Sequence, residues 1–316
     1  MHGSAFPWHG DAVHAGGVGE ESNGTPNRTW LLAVSIISVQ IGAGYAGRLM
    51  DDVGPAGVVV LRQGLAALVL LAVTRPRLRG RSRAQWRTIV AFGVILAVMN
   101  LTFYAAVERL PLGVAVTIEL LGPLGLAAAL SRRAVEFVWV GVAVVGVVML
   151  GEGEGSLDPL GIVFVLIAAA CWAAYIMVSR RAGQQSSGAD SLALAMSIAA
   201  LIAAPLGLRA GSALLDPHVL WIGLVVAVLA ALVPFSVELV ALRSVPPRVF
   251  GVLMSMSPVV ATLSGFVLLD ERLTAMQVTG MGVVIAASMA TVLSNRSPAE
   301  ETGAEFDGAE CEPVFE

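Results

Sequence analysis

Long apolar stretches of similar length, separated by short polar breaks, dominate the chain. A helix crossing roughly 30 Å of hydrocarbon needs about 20 mostly apolar residues. Ten runs approach or meet that length: 30–49, 54–74, 88–107, 112–131, 135–151, 159–179, 190–208, 218–241, 246–269 and 274–294. The breaks carry Pro, Gly or Arg, as tight connections between spans do. The runs are about twice as long as a barrel strand and lack its in–out alternation. The pattern predicts an all-α membrane protein of ten transmembrane helices.

Composition excludes the main alternatives. Of the 316 residues, 57% are apolar and 13% charged, with a mean hydropathy of +0.82. A soluble domain carries about 25% charge. Too few charges remain here to cover a water-facing surface, so a soluble globular enzyme, a disordered chain and a disulfide scaffold are excluded. Cys171 lies in an apolar run and Cys311 in the acidic tail, which gives no disulfide framework. Residues 1–29 read as a disordered polar tail. The His2, His9 and His14 alternative, a metal tract, is weakened by irregular spacing. A cleaved signal peptide with its apolar region at 31–41 is a further alternative, opposed by the long polar lead. Residues 295–316 read as a solvated acidic tail holding Glu300, Glu301, Glu305, Asp307, Glu310, Glu312 and Glu316. No metal site and no cofactor are expected, and the near-neutral body gives no sign of nucleic-acid binding.

Every basic residue is Arg, and their positions orient the chain. With the N-terminus in the cytoplasm, the inner side holds Arg28, Arg75, Arg77, Arg79, Arg81, Arg83, Arg87, Arg132, Arg133, Arg180, Arg181, Arg243, Arg248 and Arg296. The outer side holds Arg48, Arg109, Arg209 and Arg272. Arginine accumulates on the cytoplasmic side of membrane proteins. Both termini are therefore expected inside. The Arg75–Arg87 cluster reads as a topology anchor, with a lipid-headgroup patch as the alternative.

An offset of 135 residues superposes Ala106 on Ala241, Pro111 on Pro246, Val114 on Val249, Pro123 on Pro258 and Glu136 on Glu271. Residues 30–151 and 158–294 then form two repeats of five spans. An odd number of spans inverts the second repeat relative to the first, an arrangement of secondary transporters that places substrate at the midplane. Pro123 and Pro258 fall mid-span, where proline removes a backbone hydrogen bond and kinks the helix. A packing kink is the plainer alternative.

Polar residues recur at one depth. Arg62 and Glu119 each lie eight residues into an inward-running span, on the order of 12 Å down at about 1.5 Å per residue. Gln40, Asn100 and Trp172 reach a similar level. A central charge costs about 2.5–3.5 kcal/mol on the lenient insertion scale. Arg62 and Glu119 are expected to share one cavity, paired directly or bridged by water or substrate; a static ion pair is the alternative. A zwitterionic amino acid suits such a site: its carboxylate takes Arg62 and its ammonium takes Glu119. Asn100, Gln40 or Tyr104 read the remainder, and Trp172 and Tyr175 wall the cavity. A proton carried on Glu119 would couple transport to the proton gradient. Glu238, near Arg243 and Arg248, reads either as an inner gate or as a surface ion pair of little weight.

These strings resemble the EamA-type drug/metabolite transporter superfamily, and in it the bacterial amino-acid exporters of threonine/homoserine type. The resemblance is densest in PLGVAVTIELLGPLGLAAALSRRAVEFVWVGVAVVGV from Pro111, ACWAAYIM from Ala170 and RVFGVLMSMSPVVATLSGFVLLDERLTAMQ from Arg248. It implies ten helices in two inverted halves, a multi-pass location in the bacterial inner membrane, and proton-coupled export of a small amino acid. It also implies that Gln40, Arg62, Asn100, Tyr104, Glu119, Trp172, Tyr175 and Glu238 stand at family positions. One departure is visible: the family's Met-Glu-Pro is Met256-Ser257-Pro258 here. A permease for broader metabolites or drugs, on the same fold, is the nearest alternative. An intramembrane enzyme is disfavoured because all four histidines lie outside the interiors of the spans, and no HExxH or GxSxG motif is present.

Overall fold

The computed structural model describes residues 29–131, 133–151, 157–185, 188–234, 237 and 247–294. Regular structure among the described residues is entirely helical. In chain order the helices are α1 (Thr29–Thr74), α2 (Arg83–Val107), α3 (Leu112–Glu119), α4 (Leu121–Ser131), α5 (Ala134–Gly151), α6 (Pro159–Gln185), α7 (Gly188–Gly207), α8 (Pro217–Ala227), α9 (Pro247–Met254), α10 (Ser257–Leu269) and α11 (Ala275–Ser294). A 3₁₀ segment, Leu208–Leu215, leads into α8, and a single π-helical stretch, Val228–Leu232, follows it.

Among the described residues, eight helical segments are long and apolar enough to cross a membrane, with α3 and α4 counted as one and the end of α9 joined to α10, against ten expected runs. The difference has physical causes. The runs 30–49 and 54–74 join into α1, whose one non-helical residue is Gly54 at φ 68° and ψ 171°. That left-handed conformation suits glycine, and Pro55 begins the next limb. At about 1.5 Å per residue, α1 is roughly twice as long as the hydrocarbon is thick. Residues on either side of the turn, Ala46, Leu49, Val58 and Val59, enter one buried cluster. The run 218–241 survives as the shorter stretch Pro217–Leu232, beyond which most residues are not described.

Two other runs divide internally. The helix through 112–131 is interrupted at Leu120, just before Pro123. The helix through 246–269 is interrupted at Ser255–Met256, just before Pro258. In both places proline lacks the N–H that would continue the ladder.

Small residues bring the helices together. A Cβ on Gly122 of α4 would lie 2.0 Å from the Ala169 carbonyl oxygen of α6. Gly146 of α5 and Gly280 of α11 face each other so closely that a Cβ on either would meet the other's carbonyl, at 2.8 and 2.6 Å. Such contacts stabilise helix pairs in lipid, where burying apolar side chains gives little net gain over leaving them in acyl chains. Leu68, Val73, Val138, Leu201, Trp221 and Phe266 point outward accordingly. The packing pairs include α1 with α7, α8 and α10, α2 with α6 and α7, α3 with α10, α4 with α6, and α5 with α11.

One end of the bundle gathers the arginine-rich connection before α2. Arg81 pairs with Asp190 of α7 at 3.3 Å, and Gln85 Nε2 donates to the Gln185 carbonyl of α6 at 2.8 Å. Ser82 and Gln85 form a reciprocal capping box that starts α2 there. Arg133 reaches the Ser294 carbonyl at the end of α11.

Gly122→Ala is expected to lower stability by about 1–3 kcal/mol, since backbone cannot yield to the added methyl group. Gly125→Ala, with open space around its Cβ, is expected to be neutral or to gain up to about 1 kcal/mol from helix propensity. Thermal unfolding of the two purified variants in one detergent checks the contrast.

Candidate functional site

The second limb of α1 carries Arg62 into the bundle. Its Nη1 donates to Asn100 Oδ1 of α2, and its Nη2 donates to the Ala230 carbonyl at 2.8 Å. The guanidinium carbon lies 5.9 Å from the ring centroid of the buried Tyr104, within cation–π range. Asn100 is fixed in turn by its own Nδ2, which donates to the Leu96 carbonyl at 2.8 Å. The Ala230 carbonyl lies in the π-helical stretch Val228–Leu232, and the residue four positions on, Pro234, has no N–H to donate to it. The neighbouring Leu229 carbonyl accepts from Ser38 Oγ at 2.7 Å. Arg62 is thus held by neutral acceptors, and its Nε is buried without a partner.

These groups line a cavity of about 150 Å³ together with Gln40, Glu119, Trp172, Met254 and Ser257. Glu119 is the last residue of α3, at the helix interruption. Arg62 and Glu119 face one cavity, but no ion pair joins them among the described residues. The expected alternative of a direct pair is therefore replaced by two ionisable groups on the wall of one void. Gln40 is 6% exposed and its Oε1 has no partner.

A second chamber, of about 510 Å³, shares Arg62, Met99, Asn100 and Trp172 with the first. It runs toward the arginine-rich end, where Arg180 borders it. Tyr175 lines this lower chamber, its ring 5.5 Å from that of Phe92, and so does Pro123. Pro258 is buried in the first turn of α10 and borders neither chamber.

The opposite end is shut. Leu268 and Leu269 of α10 press on Gly44 and Gly47 of α1, where an added Cβ would come within 2.6 and 2.7 Å of them. Arg48 Nε donates to the Leu268 carbonyl at 2.5 Å. Beside them, Glu271 in the α10–α11 connection accepts the Leu112 N–H on both carboxylate oxygens, at 3.0 and 2.9 Å. Leu112 opens α3, so the carboxylate caps a helix N-terminus, where negative charge is favoured. Burial nevertheless raises the Glu271 pKa above the ordinary carboxylate value, and the Leu112 N–H offsets this only in part.

Comparison with known proteins is consistent across the chain. Residues 159–293 match the EamA-like transporter family. The threonine/homoserine exporter RhtA of Escherichia coli strain K12 is 42% identical over 270 residues, covering 84% of this chain and 91% of that one. The protein of the same name from Salmonella typhimurium strain LT2 is 40% identical over the same share. The chain belongs to the EamA-like transporter family. It is a multi-pass membrane transporter. One solved crystal structure, 18% identical, superposes with a TM-score of 0.57 over 85% of this chain and 98% of that one, a likeness of fold alone.

Within this transporter, Gln40, Arg62, Asn100, Tyr104, Glu119 and Trp172 converge on the upper chamber, and Tyr175 stands one chamber lower. Glu238 lies outside the described residues. Four contributors escaped the reading of the sequence: Ser38, Gln63, Ala230 and Met254. Gln63 had a visible signal, a polar residue mid-span beside Arg62. Ala230 had only an indirect one, Pro234 four residues on, which has no N–H for the Ala230 carbonyl.

Asn100→Leu is expected to destabilise this transporter by about 1.5–3 kcal/mol, the worth of a hydrogen bond to a charged group. Asn100→Asp, which keeps the acceptor, is expected to lose much less. Thermal unfolding in detergent at neutral pH separates the two.

Proposed function

We propose that this transporter exports small amino acids of threonine/homoserine type by alternating access, with proton coupling through Glu119. The carrying observation is the convergence of a buried guanidinium with an open Nε, a carboxylate and two neutral amides on one cavity. The Arg62 Nε receives the substrate carboxylate, Glu119 the ammonium, and Trp172 and Tyr104 enclose the carbon chain. The printed name of the RhtA relatives supports the substrate class. Ser257 replaces a family carboxylate in the upper chamber, so Glu119 is the one carboxylate there for the ammonium or proton among the described residues.

Alternating access in this reading comes from ten spans in two inverted five-helix halves. Gly54 divides α1 into two spans, and α9 with α10 makes the ninth. Packing supports the symmetry: exchanging the halves carries the α2–α6 contact onto α1–α8 and α4–α6 onto α1–α10, while α5–α11 maps onto itself. The breaks near Leu120 and Ser255 are likewise 135 residues apart. Both termini are cytoplasmic, on the arginine-rich side. The structure is then the inward-facing form, closed outside by Glu271 and Leu112. Glu136, the counterpart of Glu271, is fully buried and accepts from Ser294 Oγ at 3.1 Å, while its other oxygen has no partner.

A permease of broader range on the same fold is the second reading. It is favoured by the lower chamber, whose roughly 510 Å³ of mostly apolar wall falls in the range of pockets for larger organic ligands.

Cells expressing the transporter are expected to grow on inhibitory threonine or homoserine. Arg62→Ala is expected to abolish protection at equal membrane abundance, because no cation then holds the carboxylate. In proteoliposomes a pH gradient is expected to accelerate threonine flux in the parent and not in Glu119→Gln. Protection that survives Arg62→Ala favours the broader permease.

The Glu271 latch has a definite pH sign. Its pKa is raised where it is buried in the closed mouth and returns to ordinary once solvated in an open one. The closed form therefore binds the proton more tightly, so acid favours closure and rising pH favours opening. In a background lacking Cys171 and Cys311, labelling of Ala43→Cys by an impermeant maleimide from outside is expected to rise more steeply with pH than in Glu271→Gln, which mimics the protonated carboxyl.

A further inference from the structure

Gln63 follows Arg62 on α1 and is 1% exposed. It lines the lower chamber, as do Leu96, Leu192, Met196 and Ala231, which have no side-chain donor, and Ser255, Ser288 and Thr291, whose hydroxyls are engaged elsewhere. Its Oε1 is buried with no hydrogen-bond partner. Asn100 and Arg62, which line the same chamber, are already committed: Asn100 Nδ2 to the Leu96 carbonyl, and the Arg62 Nη atoms to Asn100 and Ala230. A buried amide oxygen left without a donor is costly, and such groups persist where a ligand or water completes them.

The distribution of unpartnered atoms has a chemical meaning. Around Arg62 there is one open donor, its Nε, and two open acceptors, the Oε1 atoms of Gln40 and Gln63. Gln40 shares the upper chamber with Glu119, and Gln63 stands in the lower one. A ligand that fills this set brings one anionic group and donors on two sides of it. An amino acid whose side chain ends in a hydroxyl does so: carboxylate on Arg62, ammonium between Glu119 and Gln40, and the side chain pointing down.

We infer that Gln63 is a specificity-determining residue whose carbonyl oxygen accepts the side-chain hydroxyl of the transported amino acid. This rests on the export of small amino acids proposed above. It adds that an isostere without the hydroxyl is rejected because it leaves Gln63 unpaired. A site built to hydrogen-bond a hydroxyl discriminates far better than one that only fits shape. Threonine and valine differ by replacement of that hydroxyl with a methyl group, so they isolate the effect.

The test uses the full-length protein in proteoliposomes, with labelled threonine counterflow competed by unlabelled threonine, homoserine or valine. The parent is expected to prefer threonine over valine by at least about tenfold. Gln63→Met is expected to reduce that ratio to within about threefold, and Gln63→Glu, which keeps an acceptor, to retain most of it. Gln63→Met is also expected to unfold at the same temperature as the parent or higher, since it removes an unsatisfied acceptor. An undiminished threonine preference in Gln63→Met overturns the inference, as does a marked loss of its thermal stability, which would make Gln63 a structural partner. Should that variant not insert, Gln63→Asn, which withdraws the acceptor by one methylene, is read by the same ratio. Failure of the parent to bind either amino acid would instead defeat the export reading itself.

Discussion

A guanidinium held deep inside a bundle that crosses lipid is the constraint around which the rest is arranged. Arg62 has no carboxylate in contact among the described residues; Asn100 and a backbone carbonyl hold it instead. Neutral acceptors stabilise a buried cation less than an ion pair does, but they leave its charge unspent. Glu119 faces the same void without neutralising it. Two ionisable groups left apart at this depth are costly in a static scaffold and useful in a carrier, where a zwitterion completes both.

Supporting this arrangement requires departures from regular helix at several places. The Ala230 carbonyl, in the π turn Val228–Leu232 and four residues before Pro234, accepts from Arg62. The interruption at Leu120 puts Glu119 at a helix end, facing the cavity. Irregular backbone at membrane depth is tolerated only where protein or a cavity satisfies it. Here the irregular segments border the cavity, so the site and its structural cost share one location. Elsewhere, small residues such as Gly122, Gly146 and Gly280 permit close, regular packing.

Closure is distributed unevenly between the two ends. The end bearing Arg48 and Glu271 is tied by a side-chain bond to Leu268 and by a carboxylate cap on α3. Toward the arginine-rich end the lower chamber extends to Arg180, with walls that include residues of α1, α2, α4, α6, α7 and α11. The end bearing Arg48 and Glu271 combines apolar packing of Leu268 and Leu269 on Gly44 and Gly47 with polar bonds at helix ends, and the latter break and reform at modest cost.

Much of this was legible in the residues alone. Runs of apolar residues set the helical membrane class, because only a helix satisfies its own backbone in hydrocarbon. Polar residues at matching depths announced the site, since Arg62, Asn100 and Glu119 have no reason to lie in lipid unless they face one another or a cavity. Membership of the EamA-like family was legible in long, specific strings such as VTIELLGPLG. Other features depended on spatial neighbours. Whether Arg62 meets Glu119 or Asn100 is a matter of helix rotation of a few tens of degrees, which periodicity does not specify. The bond of Arg62 to the Ala230 carbonyl and the orphaned oxygen of Gln63 arise from packing between segments far apart in the chain. Local propensity fixes which segments are helices; only the assembled bundle fixes which polar atoms find partners and which stay open for a ligand.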